Sequence, residues 1–92
     1  MLVIYPGQIV VSLAGRDKDK YFVVLDVIDN SYCHISDGNI RKTDKPKKKK
    51  IKHLRFTGEE LSVVKVKLES KETVTNSLIK NELRKILNNQ RC

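Results

Sequence analysis

Ninety-two residues carry 19 Lys and Arg against 11 Asp and Glu, a formal charge of +8 with a pI near 9.7. That length holds one domain, not two, with a small core that buries about 60–65% of the surface its unfolded chain exposes. The charge selects polyanion partners, nucleic acid ahead of an anionic membrane, and no apolar stretch approaches the ~20 residues of a membrane span. Trp is absent and aromatics are 5%, so aliphatic side chains must fill the core. The opening Met-Leu-Val-Ile-Tyr-Pro lacks the basic and long apolar regions of a signal peptide, so the expected location is cytoplasmic. The two cysteines give neither a disulfide framework nor metal-ligand spacing. Cys33 is expected as a buried, reduced thiol and Cys92 as an exposed terminal one.

In chain order, Val3 and Ile4 are apolar and Pro6 fixes the entry into a first strand. Ile9, Val11 and Leu13 alternate there and are expected on its inward face. Gly15 and the charged turn Arg16 to Lys20 follow. Tyr21 to Ile28 is apolar on both faces, as in a central strand covered on both sides, and C-terminal helices are the expected second cover. Asp29-Asn30 is expected to supply the positive φ angles of a two-residue hairpin turn. The chain then returns through Ser31 to Ser36, with Cys33 and Ile35 on one face and Tyr32 and His34 on the other. Asp37-Gly38 is a second turn signal, and Ile40 begins a further short segment interrupted by Pro46.

Residues 41–50 change character. Four successive lysines repel one another, and Pro46 removes a backbone donor and disfavours helix at Lys45. The expectation is a loop over 41–50 and a closing strand over 51–56, anchored by Ile51, Leu54 and Phe56. Thr57-Gly58-Glu59-Glu60 fits a capping box. Leu61, Val64 and Leu68 then fall at helical spacing, although Val64, Val66 and Leu68 also alternate as in a strand. The cap favours a helix over 59–69. A polar linker, 70–76, leads to a last helix over about 76–89, capped by Thr75 or Asn76, with Ile79, Leu83, Ile86 and Leu87 in one apolar stripe.

The residues that could do chemistry are few. His34 and His53 are the only histidines, and neither has metal-ligand neighbours in sequence. Cys33 and His34 are adjacent in a strand, so their side chains take opposite faces and cannot form a nucleophile–base pair. The four glycines are scattered, and no phosphate-cradling loop is present. No catalytic residue, metal or cofactor is expected, and the chain reads as a non-enzyme. The stronger feature is the unbalanced basic run. Lysines on a loop neutralise phosphates and release counterions, which supplies affinity without reading sequence. Arg16 and Arg41 suit fork-like phosphate contacts.

The apolar run before Gly15, Gly15 itself, the turn Arg16-Asp17-Lys18-Asp19-Lys20 and Phe22-Val23-Val24 together resemble a KOW motif, the strand–loop–strand unit of SH3-like barrels. Ser36-Asp37-Gly38, Arg41, Lys45-Pro46-Lys47 and Lys52-His53-Leu54 extend the likeness. The longer pattern is similar to the fourteen-e family of large-subunit ribosomal proteins and to the small bacterial RNA-binding proteins like it. It covers roughly the first 56 residues. Asp19 departs from it, because the family pattern commonly has Gly there. The resemblance implies a mainly β fold, a small SH3-like barrel (KOW) over 1–56, with one or two C-terminal α-helices over 57–92. It implies a ribosomal or ribosome-associated, cytoplasmic RNA-binding protein acting in translation, with ribosomal RNA or the ribosome as partner and no membrane. The implied RNA-binding set is Arg16, Lys18, Lys20, Arg41, Lys42, Lys45, Lys47, Lys48, Lys49, Lys50, Lys52 and His53, with Gly15 in the KOW turn. Two other readings stay open: an SH3-like protein-interaction module, and a transcription-complex or DNA-binding KOW factor.

Overall fold

A computed structural model of the chain describes residues 4–90; Val3 and Cys92 lie outside them. Five strands and two helices follow in the order β1 (Gln8–Ser12), β2 (Tyr21–Val27), β3 (Tyr32–Ser36), β4 (Lys47–Lys50), a 3₁₀ turn (Ile51–His53), β5 (Leu54–Glu60), α1 (Ser62–Glu69) and α2 (Asn76–Gln90). The strands form one antiparallel sheet ordered β4-β3-β2-β1-β5.

The sheet is curled. β4 and β5 are its opposite edges, yet only the 3₁₀ turn joins them. The edges of a flat five-stranded sheet lie about 19 Å apart at ~4.8 Å per strand. Four fully extended steps, Lys50 to Leu54, reach only about 14 Å. Val10, Phe22, Val24, Cys33, Ile35 and Leu54 cluster on the concave face, with Ile4, Ile51 and Phe56 packed against them. The other face of β1 and β2 presents Ile9 and Val23 to Leu61, Val64, Ile79 and Leu83 of the helical segment. The doubly apolar β2 is therefore central and covered on both sides, with the helices as the second cover.

β1 is buried on both faces as well. Ile9 turns to the helices, Val10 fills the concave side, and Leu13 is past the strand and exposed. The single inward set Ile9, Val11 and Leu13 is thus corrected: one face of alternation is expected only where the other meets water.

Three further expectations change. The β2–β3 connection is not a two-residue turn with positive φ. It spans Ile28–Ser31, and the Asp29 carboxylate accepts from the Ser31 and Tyr32 amides at 2.7 and 2.9 Å. That side-chain turn needs no left-handed residue. Ile40 starts no strand and is 61% exposed in the loop after Gly38. Lys47–Lys50 are a strand rather than part of a loop, paired residue for residue with Ile35, His34, Cys33 and Tyr32. Lysine is poor at forming strands alone, but ladder bonds to β3 override that preference, and charge is well suited to an edge.

Thr57–Glu60 do not cap a helix. They continue β5, where Thr57, Gly58 and Glu59 oppose the single residue Ile9 in a bulge. Gly58 supplies its φ of 86°, and the Thr57 hydroxyl donates to the Ile9 carbonyl at 3.0 Å. The alternation of Val64, Val66 and Leu68 is helical after all: α1 begins directly after Leu61 and buries Val64, and Leu61 is buried at its N-cap position. α2 matches its expected span, and Thr75 is the cap, its hydroxyl accepting from the Leu78 amide at 3.1 Å.

Cys33 is fully buried on the concave face, and His34 takes the opposite one. Burial, with a smaller contribution from the Asp26 carboxylate, pushes the thiol up from 9.0 to about 11. The folded state disfavours the thiolate, so this contribution to stability is intact below pH 9.0 and is lost as pH rises through about 11. A Cys92→Ser protein at neutral pH is expected to react with iodoacetamide only after unfolding. Labelling at the rate of a peptide thiol would place Cys33 in solvent.

Candidate nucleic-acid interface

The connection from Ser12 to Tyr21 is where the basic segments meet. Its backbone is fixed by Asp19 N–H to the Ser12 carbonyl at 2.8 Å and Lys20 N–H to the Asp17 carbonyl at 3.0 Å. Gly15 and Asp19 both have positive φ, 80° and 69°. Asp19 thus holds a left-handed conformation, which short polar side chains tolerate better than most. Arg16, Lys18 and Lys20 project into solvent from this turn.

Three contacts tie the turn to the second basic segment. The Lys49 ammonium donates to the Ala14 carbonyl at 2.9 Å. The Leu13 amide donates to the His53 carbonyl at 2.8 Å. The Arg41 guanidinium places Nε at 3.1 Å and Nη2 at 2.9 Å from one carboxylate oxygen of Asp17, which is only 5% exposed. Arg41, expected as a phosphate fork, is therefore engaged inside the protein, and so is Lys49.

The loop between β3 and β4 is anchored rather than free. The Asp37 carboxylate accepts from the Asn39 and Arg41 amides, each at 2.9 Å. The Thr43 amide donates to Asn76 Oδ1 at 2.7 Å, at the start of α2. Gly38 packs so closely there that a Cβ would stand 2.2 Å from the Asn76 carbonyl, and its φ is 73°. Lys42 and Lys45 are exposed on this loop.

Strand alternation sorts the four lysines. Lys47 and Lys49 share the face of Ile35 and Cys33 and are half-buried. Lys48 and Lys50 share the outer face with His34 and Tyr32 and are exposed. The Lys48 ammonium sits 4.7 Å from the centre of the Tyr32 ring. His34 Nδ1 lies 2.7 Å from an Asp26 carboxylate oxygen. Lys52 is exposed and His53 half-buried in the 3₁₀ turn.

Eight of the twelve expected residues are thus solvent-facing: Arg16, Lys18, Lys20, Lys42, Lys45, Lys48, Lys50 and Lys52. The carboxylates of Asp19 and Asp44 are exposed in the same segments. Sequence reasoning missed the buried Asp17 as the partner of Arg41. It also missed Lys80 and Arg84 of α2, which line a groove with Lys20 and Tyr21. Their place outside the apolar stripe of α2 was the available signal, but the face of the sheet on which α2 packs is a tertiary fact.

Among the described residues, no group of three or more His, Cys, Asp and Glu could hold a metal ion. None of the described helices is long and apolar enough to cross a membrane. No family model matches this sequence, and no curated protein matches it.

Proposed function

We propose that the protein is a non-catalytic RNA-binding protein, ribosomal or ribosome-associated, built on an SH3-like barrel with a KOW turn. It grips the phosphate backbone of a structured RNA through that turn and the lysine strand. The observation that carries this reading is convergence. Hydrogen bonds bring the turn around Gly15, the loop after Asp37, the lysine strand and the 3₁₀ turn together, and eight of the expected cations are left facing solvent. The barrel is supported by the curl that three linking residues impose on two sheet edges. RNA in preference to DNA, and the ribosome in particular, rest on the family resemblance.

Edge protection gives a second reason for lysine in β4, because charge on an unpaired edge blocks pairing with another chain. That role does not account for Arg16, Lys18 and Lys20 beside the same strand. A protein-interaction module in which these lysines only keep the protein soluble retains its function when Lys47 to Lys50 become Ala, and a backbone-gripping protein does not. Crosslinking in cells followed by sequencing of the bound RNA tests the reading directly. Reads concentrated in ribosomal RNA are expected. Reads no denser there than in total RNA, or equal competition by duplex DNA at matched salt, would overturn it.

A further inference from the structure

Where the β2–β3 turn meets the 3₁₀ turn, Asn30, Ser31, Tyr32, Lys50, Ile51 and Lys52 enclose a cleft of about 430 Å³. We infer that this cleft receives one unpaired nucleobase, stacked on Tyr32, while Lys50 and Lys52 hold its flanking phosphates. The inference rests on the RNA reading and adds to it a distinct ligand: a bulged or looped-out nucleotide rather than paired backbone.

The chemistry of the lining fits that ligand. It combines an aromatic ring, two ammonium groups and the Asn30 side-chain amide, which both donates and accepts, with no acidic side chain among the lining residues. Sequence-tolerant stacking on an aromatic ring, with cations along the backbone, is how single-stranded nucleic acid is held. Unpaired bases are also the part of a folded RNA whose faces are open to protein.

The walls are fixed in advance. The Asp29 carboxylate holds the Ser31 and Tyr32 amides at 2.7 and 2.9 Å. The Ile51 amide donates to the Ser31 carbonyl at 2.8 Å, joining the two turns across the cleft. Tyr32 pairs with Lys50 across the ladder, so ring and cation rise from neighbouring backbone on the same face. Lys48, which does not line the cleft, places its ammonium 4.7 Å from the centre of the ring, and the base takes the ring face that Lys48 does not cover. Backbone held in this way loses little freedom on binding, and the ordering cost falls on the exposed Lys50 and Lys52 side chains.

The test uses one RNA hairpin in two forms, fully paired and with a single bulged 2-aminopurine. The wild-type protein is expected to bind the bulged form about fivefold or more tighter and to quench its fluorescence. Tyr32→Phe keeps both effects. Tyr32→Ala abolishes the preference and the quenching while its affinity for the paired hairpin stays within about twofold, which also shows that the variant is folded. Equal wild-type affinity for the two hairpins, or quenching that survives Tyr32→Ala, would overturn the nucleobase site while leaving backbone binding in place. A wild-type protein that binds neither hairpin at low salt overturns the RNA reading itself, and this inference with it.

Discussion

Reversing two charges, Lys48→Glu and Lys50→Glu, is expected to weaken binding to a structured RNA at least tenfold at low salt. The melting temperature should stay within about 5 °C of the parent. Both side chains project from the outer face of an edge strand, and no ion pair to either was found among the described residues. Each reversal removes a cation that displaces counterions from the RNA and adds a repulsive charge. On the stability side, the Lys48–Tyr32 contact is worth about 0.5–1 kcal/mol. Relief of repulsion within Lys47–Lys50 offsets part of that loss. A fluorescence anisotropy titration read beside a thermal melt checks both halves. Unchanged affinity would remove the lysine strand from the interface.

Arg41→Ala is expected to do the opposite. It should lower stability by about 2–3 kcal/mol, and the melting temperature by about 10 °C or more, before it affects RNA binding. Removing the guanidinium strands the Asp17 carboxylate, which is almost fully buried and for which Arg41 is the partner. The effect falls short of a fully buried pair because the Arg41 side chain is 29% exposed and water screens it. Asp17→Ala combined with Arg41→Ala should recover part of the loss, since the double variant leaves no unpaired charge. Arg41→Lys should recover less than its charge suggests, because an ammonium cannot reproduce the fork. Chemical denaturation of the parent, Asp17→Ala, Arg41→Ala and the double variant reads the cycle, with Arg41→Lys measured beside them. A loss below about 0.5 kcal/mol for Arg41→Ala, with a large loss of RNA affinity, would make Arg41 a contact residue instead of a clamp.

The contrast between these two positions shows what the sequence could and could not say. Hydrophobic runs bounded by Gly, Asp and Asn located β1, β2 and β3, and the doubly apolar β2 announced a cover on each face. The stripe on α2 was equally local and equally legible, and its cap was narrowed to Thr75 or Asn76, between which the Leu78 amide bond to Thr75 decides. β4 was not, because nothing within Lys47–Lys50 favours a strand; its structure is supplied by β3, whose paired residues lie 12 to 18 positions earlier. The Thr57–Glu60 segment satisfied a helix-cap pattern and a bulge pattern at once. Only the approach of β1 decided between them, through the Thr57–Ile9 bond. At the interface, composition identified the cations but not their engagements. Whether Arg41 and Lys49 face solvent depends on Asp17 and Ala14, which lie 24 and 35 residues away in sequence.

The salt dependence of RNA affinity tests the central claim most directly. If about five phosphates are neutralised, log K falls against log salt with a slope of roughly −3.5 to −4.5. Replacing Lys48 and Lys50 with Ala should flatten that slope by about 1.4–1.8. A slope near zero, or one that the double replacement leaves unchanged, would contradict a surface that holds RNA by its phosphates.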